Sequence, residues 1–186
     1  MPFKETGFPG LLLFEPRVFI DARGYFFESF NQQLFEHAGV SVPFVQDNES
    51  CSKRGVIRGL HYQLAPHAQS KLVRVIQGEV LDVVVDLRKG SPTYGKNYSV
   101  ILNGDNKNQL FVPRGFAHGF AVLSDEVIFA YKCDGYYAQP FERGIHFADS
   151  SLHIDWHLPE NEIIVSEKDM LLPGWADSDH QFIYTP

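Results

Sequence analysis

The chain has 186 residues, 44% of them hydrophobic, and carries a net charge of −7 with its histidines counted as neutral. That length suffices for one domain with a sizeable core, here expected to span residues 1–186. The acidic balance argues against a nucleic acid or an anionic membrane surface as partner, while leaving room for a local basic pocket around a small anion.

The apolar run at 11–14 is too short for the core of a signal peptide, and no segment approaches the ~20 apolar residues of a membrane helix. The two cysteines, Cys51 and Cys133, stand in no Cys-x-x-Cys pair. They read as two reduced, largely buried thiols of a cytoplasmic protein.

Taken in order, Gly7-Phe8-Pro9-Gly10 is a turn. Short strands are expected at 11–14 and 18–20, then an aromatic strand at 25–30 after the turn Asp21-Ala22-Arg23-Gly24. Asn31 can cap a short helix carrying Leu34, Phe35 and Ala38 and closed by Gly39. From residue 42 the pattern is β, with strands expected at 44–49, 56–63, 71–77, 80–87, 97–102, 109–112, 118–123 and 127–132. In 80–87 the acids at 82 and 86 share a face with Val84, while Leu81, Val83, Val85 and Leu87 share the other, so one dry face is expected. The tail from Phe141 is mixed. Many short strands at roughly 8–12-residue spacing with few helices give an all-β sandwich or barrel of jelly-roll type. A run as apolar as 80–87 should not lie on an exposed edge, which calls for barrel closure or dimerisation.

The run 55–63, Gly-Val-Ile-Arg-Gly-Leu-His-Tyr-Gln, carries more ionisable chemistry than a core strand needs. His61 can take a proton near neutral pH, and an adjacent carboxylate would orient it. The alternative is a metal site. A barrel metal strand wants a second ligand two residues on, where Gln63 stands. His118, after Pro113-x-Gly115, resembles the second metal motif of the cupin barrels, but one ligand from each half is too few, so no metal is expected. Lys71 opens a strand and can face a developing oxyanion or simply solvent. Tyr131 can pack or act as a general acid. Arg23 and Glu28 alone would be a surface pair, and Asp169 a turn or cap residue. Spacing alone leads to a β-barrel pocket for proton transfer on an anionic substrate, without naming it.

The motifs together resemble one family, the dTDP-4-dehydrorhamnose 3,5-epimerases. The matching runs are 19–28, 44–50, 55–63, 69–75, 78–88 with 91–95, 112–120, Tyr131-Lys132 with Tyr136-Tyr137, and 166–169. They cover nearly the whole chain in the expected order. The resemblance implies a metal-free cupin-type jelly roll acting as a cytoplasmic homodimer without a cofactor. It implies inversion at C3 and C5 of dTDP-4-dehydro-6-deoxy-D-glucose to give dTDP-4-dehydro-L-rhamnose. His61 is then the base, Asp169 its carboxylate, Tyr131 the acid on the other ring face, and Lys71 the cation at the enolate oxygen. Arg23, Glu28, Gln46, Asn48, Arg58, His118, Glu142 and Lys168 would hold the nucleotide sugar, with Tyr137 stacked on the thymine. The chemistry agrees with the residues, because hydrogens on C3 and C5 are both alpha to the C4 ketone, and no glycine-rich dinucleotide fingerprint calls for a redox cofactor. Competing readings are an epimerase acting at C3 or C5 only, a non-catalytic nucleotide-sugar-binding cupin, and a metal-dependent cupin enzyme.

Overall fold

A computed structural model of the chain describes residues 2–186. Two antiparallel sheets face one another. In chain order the strands are β1 (Phe3–Glu5), β2 (Leu12–Phe14), β3 (Phe19–Asp21), β4 (Gly24–Phe26), β5 (Gln46–Lys53), β6 (Ile57–Gln63) and β7 (Lys71–Gln77). They continue with β8 (Glu79–Asp86), β9 (Asn97–Asn103), β10 (Gln109–Val112), β11 (Phe116–Val122), β12 (Glu126–Cys133) and β13 (Glu142–Gly144). A six-stranded sheet has the order β1-β2-β10-β7-β12-β5 and a five-stranded sheet the order β13-β6-β11-β8-β9. From β5 to β8 and again from β9 to β13 the chain crosses between the sheets at every strand, as in a jelly roll. β3 and β4 form a separate hairpin.

The helix expected after Asn31 is α1 (Gln32–His37), where the Asn31 carboxamide accepts from the Leu34 amide at 3.4 Å. Its Phe35 is fully buried with Phe14, Val40, Leu72 and Phe111, which covers part of the outer face of the six-stranded sheet. The aromatic run 25–30 is strand only as far as Phe26. β1 and β13 were not expected, since three residues give too little periodicity to read.

Between the sheets lies a core of Val73, Val75, Val80, Val84, Leu110, Phe116, Phe120 and Phe129, among others. Each such fully buried side chain is worth about 1.5–3 kcal/mol relative to exposure. The face of β8 that carries Leu81, Val83 and Val85 packs outward against Ile145, Phe147, Leu152 and Trp156 of the tail. The expectation of one dry face is therefore corrected: both faces of β8 are buried, and Asp82 and Asp86 are each 0% exposed. The tail adds a third layer, which the period-two pattern of a strand cannot announce. Asp86 is satisfied by Arg88, Ser91 and Thr93. The strand itself is interior, between β11 and β9, so its apolar run meets no open edge. Cys133 is buried but Cys51 is exposed, which corrects the expectation of two buried thiols. No helix among the described residues is long and apolar enough to cross a membrane.

One backbone crossing positions the chemistry. Gly59 has φ +115°, and a Cβ added there would stand 2.6 Å from Gly119 Cα and 2.7 Å from the His118 carbonyl oxygen. Strands β6 and β11 approach this closely only because both residues are glycine. Gly59→Ala combines a left-handed conformation with a backbone clash and should cost about 3 kcal/mol. A melting temperature lower by about 6–12 °C is expected for a chain of this size, and an unchanged thermal transition would contradict the argument.

Candidate active site

The cavity opens between the sheets, with about 530 Å³ lined by His61, Lys71, His118, Tyr131, Lys168 and Asp169 among others. A smaller recess of about 280 Å³ adjoins it, sharing Asn48, His61, Lys71 and Tyr131 and adding Gln46, Cys133, Tyr137 and Glu142.

His61 points inward from β6, whose alternate residues Leu60 and Tyr62 belong to the outer core. Its Nε2 lies 2.7 Å from Asp169 Oδ1. Asp169 sits on α2 (Glu167–Met170), a single turn capped by Ser166. The turn is carried to β6 by a parallel bridge between Val56 and Ile164. The other carboxylate oxygen accepts from the Gly59 amide at 3.4 Å. Burial, the largest influence, pushes the Asp169 carboxyl up, but the His61 hydrogen bond and charge and the Gly59 and Ser166 bonds outweigh it and hold it below the usual range. An ionised Asp169 therefore fixes Nε2 of His61 as the proton-bearing nitrogen and leaves the lone pair on Nδ1.

Tyr131 and Lys71 come from the opposite sheet, on the adjacent strands β12 and β7, with the Lys71 ammonium 6.0 Å from the Tyr131 ring centroid. Burial raises the Tyr131 phenol above its ordinary value, reinforced by Cys133 and Glu142 and opposed by Arg58, so it holds its proton at neutral pH. Burial pulls the Lys71 ammonium below the usual lysine range, opposed by Cys133, Asp82 and Glu142. The Cys133 thiol is itself pushed up to about 11, chiefly by burial. It is uncharged at neutral pH, so Asp82 and Glu142 are the anions that matter to Lys71.

At the mouth, Tyr137 donates to Glu142 Oε2 at 2.8 Å and Lys168 Nζ to the same oxygen at 2.6 Å. Gln46 accepts from the Tyr137 amide at 3.1 Å and donates to Asn48 at 3.0 Å. Arg58 donates to the Ser52 hydroxyl at 3.0 Å. Gln63 spends its carboxamide on the loop beyond, donating to the carbonyls of His67 and Tyr136 and accepting from the Ala138 amide. Among the described residues no group of three or more His, Cys, Asp and Glu is arranged to hold a metal ion.

Eleven of the thirteen residues so implicated are thus gathered around one cleft, whereas Arg23 and Glu28 are not. Arg23 lies in the β3–β4 hairpin and pairs with Asp21 at 2.6 Å, its side chain 90% exposed. Glu28 accepts from Asn31 at 3.3 Å at the start of α1. The sequence reading passed over Asp82, which binds His118 Nε2 at 2.9 Å in the cavity wall. In the one-dimensional pattern Asp82 looked like the polar face of an ordinary strand. Ser52, the partner of Arg58, left no signal either.

A family model described as dTDP-4-dehydrorhamnose 3,5-epimerase matches residues 5–177. The chain belongs to the dTDP-4-dehydrorhamnose 3,5-epimerase family. A family member from Shigella flexneri is 54% identical over 177 residues, covering 95% of this chain and 97% of the relative. The crystal structure of the Elizabethkingia anophelis family member has a TM-score of 0.91 at 49% identity, covering 94% of this chain and 96% of that one. An epimerase of Legionella pneumophila solved with dTDP-4-keto-L-rhamnose reaches a TM-score of 0.94 at 45% identity, covering 99% of this chain and 98% of that one. At such similarity, the jelly roll of these epimerases is also the fold of this chain.

Proposed function

We propose that this chain inverts C3 and C5 of dTDP-4-dehydro-6-deoxy-D-glucose to give dTDP-4-dehydro-L-rhamnose. The observation that carries the reading is the placement of the His61–Asp169 pair on one wall of the cleft, with Tyr131 and Lys71 supplied by the facing sheet. Inversion alpha to a ketone requires a base on one ring face and an acid on the other. His61 Nδ1 takes the proton from C3 or C5 and charge moves onto the C4 oxygen. Lys71 stabilises that oxyanion, a contribution of roughly 3–4 kcal/mol for one well-placed donor. Tyr131 returns a proton from the opposite face. Gln46, Asn48, Arg58, His118, Glu142 and Lys168 grip the diphosphate and sugar, and Tyr137 at the mouth stacks on the thymine. A diphosphate ligand accounts for cations gathered in an acidic protein.

In this reading the protein works in the cytoplasm as a homodimer. The β3–β4 hairpin exposes Phe19, Ile20, Tyr25 and Phe26 at 49%, 82%, 58% and 66%, an apolar patch typical of an interface. A partner receiving that hairpin would also receive Arg23 and Glu28. Sedimentation equilibrium giving a monomer at micromolar concentration would reject this assembly.

Incubation with the 4-keto substrate in deuterated water, followed by NMR, tests the reaction. Exchange at both C3 and C5 supports the double epimerase, exchange at one carbon identifies a single epimerase, and exchange at neither leaves a binding protein. A pH profile tests Lys71. Because burial lowers its ammonium, the cation is lost as pH rises through that lowered value, and activity should fall on the alkaline side before ordinary lysines titrate. In Lys71→Arg that limb should move up or vanish, since a guanidinium stays charged; an unmoved limb would assign it elsewhere.

A further inference from the structure

The roles above leave one buried ionisable group beside the cleft unused. Asp82 is 0% exposed on the inner face of β8, between Val80 and Val84 of the core. Its Oδ2 meets His118 Nε2 at 2.9 Å, and its Oδ1 is buried with no hydrogen-bond partner. A buried carboxylate with an unsatisfied oxygen is costly, and removing it in favour of an apolar residue is commonly neutral or stabilising. Packing alone does not explain it. Lys71 extends from the inner face of the opposite sheet, which it shares with Val73 and Val75.

We propose that Asp82 is a positioning residue for the epimerisation: as a buried carboxylate it fixes His118 with its proton on Nε2, leaving Nδ1 to the substrate, and supplies the counter-charge that keeps Lys71 cationic beside the C4 oxygen. This rests on the epimerase reading of the cleft. The two functions belong together, because an anion sunk in protein is tolerated only where cations compensate it, and those cations then gain stability in their charged forms. Burial holds the Asp82 carboxyl above the usual carboxylate range, and His118 and Lys71 oppose it and favour its ionised form. The other titratable and charged groups around the gap are Glu49 from β5, Arg58, His61 and Tyr62 from β6, Tyr131 and Cys133 from β12, Tyr137 and Glu142 at the mouth, and Lys168 and Asp169 from α2. Of these Glu142 is the other anion acting on Lys71, and it also serves Tyr137 and Lys168 at the mouth.

Asp82→Asn keeps the shape and an oxygen for His118 and removes only the charge. Expected are a kcat lower by about 10²-fold, a KM within a few-fold of wild type, and an alkaline limb displaced downward by about 1–3 pH units. A kcat within three-fold of wild type with an unmoved limb would make Asp82 structural and overturn the proposal, as would a raised KM at unchanged kcat. A second measurement needs no stable variant. Long-range ¹H–¹⁵N correlation of the wild-type protein, with His118 identified by its loss in His118→Gln, should show His118 protonated on Nε2. An Nδ1–H tautomer would mean that Asp82 itself carries the proton, and would also overturn the proposal. Failure of the epimerase reading would appear instead in the wild type, as no exchange at either carbon.

Discussion

His61→Ala should abolish hydrogen exchange at both C3 and C5 of the 4-keto substrate while leaving nucleotide binding nearly intact. Both inversions need a proton removed from carbon, and the His61 imidazole is oriented from behind by the Asp169 carboxylate. General base catalysis contributes about 10²–10⁴-fold, so exchange followed by NMR should slow by at least that range. Affinity for dTDP, read by calorimetry, should change only a few-fold, because the diphosphate contacts are assigned to Arg58, Gln46, Asn48 and Lys168. The variant also strands Asp169, only 4% exposed, without its main partner, a loss worth about 1–3 kcal/mol of stability. Exchange at a near wild-type rate would remove His61 from the base position.

Tyr131→Phe should separate exchange from inversion. Without the phenol, His61 still abstracts the proton and can return a deuteron to the same face. The substrate should therefore gain deuterium while L-configured product falls by about 10²–10⁴-fold. The packing of the ring against Phe129, with centroids 6.2 Å apart, is retained, so the fold should hold. The raised phenol value implies that Tyr131 is protonated over the whole working range, and ionisation of the phenol is not the cause of any alkaline limb. Product formed at the wild-type rate would place the acid elsewhere. Loss of exchange together with inversion would instead tie Tyr131 to the first proton transfer.

These two variants also mark how far the chain could be read without a structure. Strands such as β7 and β10 were legible to the residue, because their turns and β-branched runs are local signals. The helix after Asn31 was legible for the same reason, since its cap and its closing glycine lie within the segment itself. β13 was not, because its three residues become a strand only against β6. Asp82 was misread because alternation reports which residues share a face and not what covers it: the Asp82 face turns into the space between the sheets, and the tail covers the opposite face. Cys51 was expected inside and is exposed on β5, next to the edge position that its strand occupies in the sheet.

By itself the sequence determined the β-rich jelly-roll class, the helix at Asn31, and His61 as the residue whose surroundings are too polar for a core strand. Its motifs also determined the family. Spacing alone left Asp169 a turn or cap residue and the resemblance supplied its pairing; the tertiary structure shows how it reaches His61, 108 residues away, because the tail bridges to β6 and turns once at Ser166. It likewise set Tyr131 and Lys71 on the wall facing His61, set Asp82 behind His118, and left Arg23 and Glu28 outside the cleft of their own chain. Periodicity and turn chemistry act over a few residues, whereas a catalytic cleft is made by the pairing of distant strands, and that pairing is decided by burial across the whole chain.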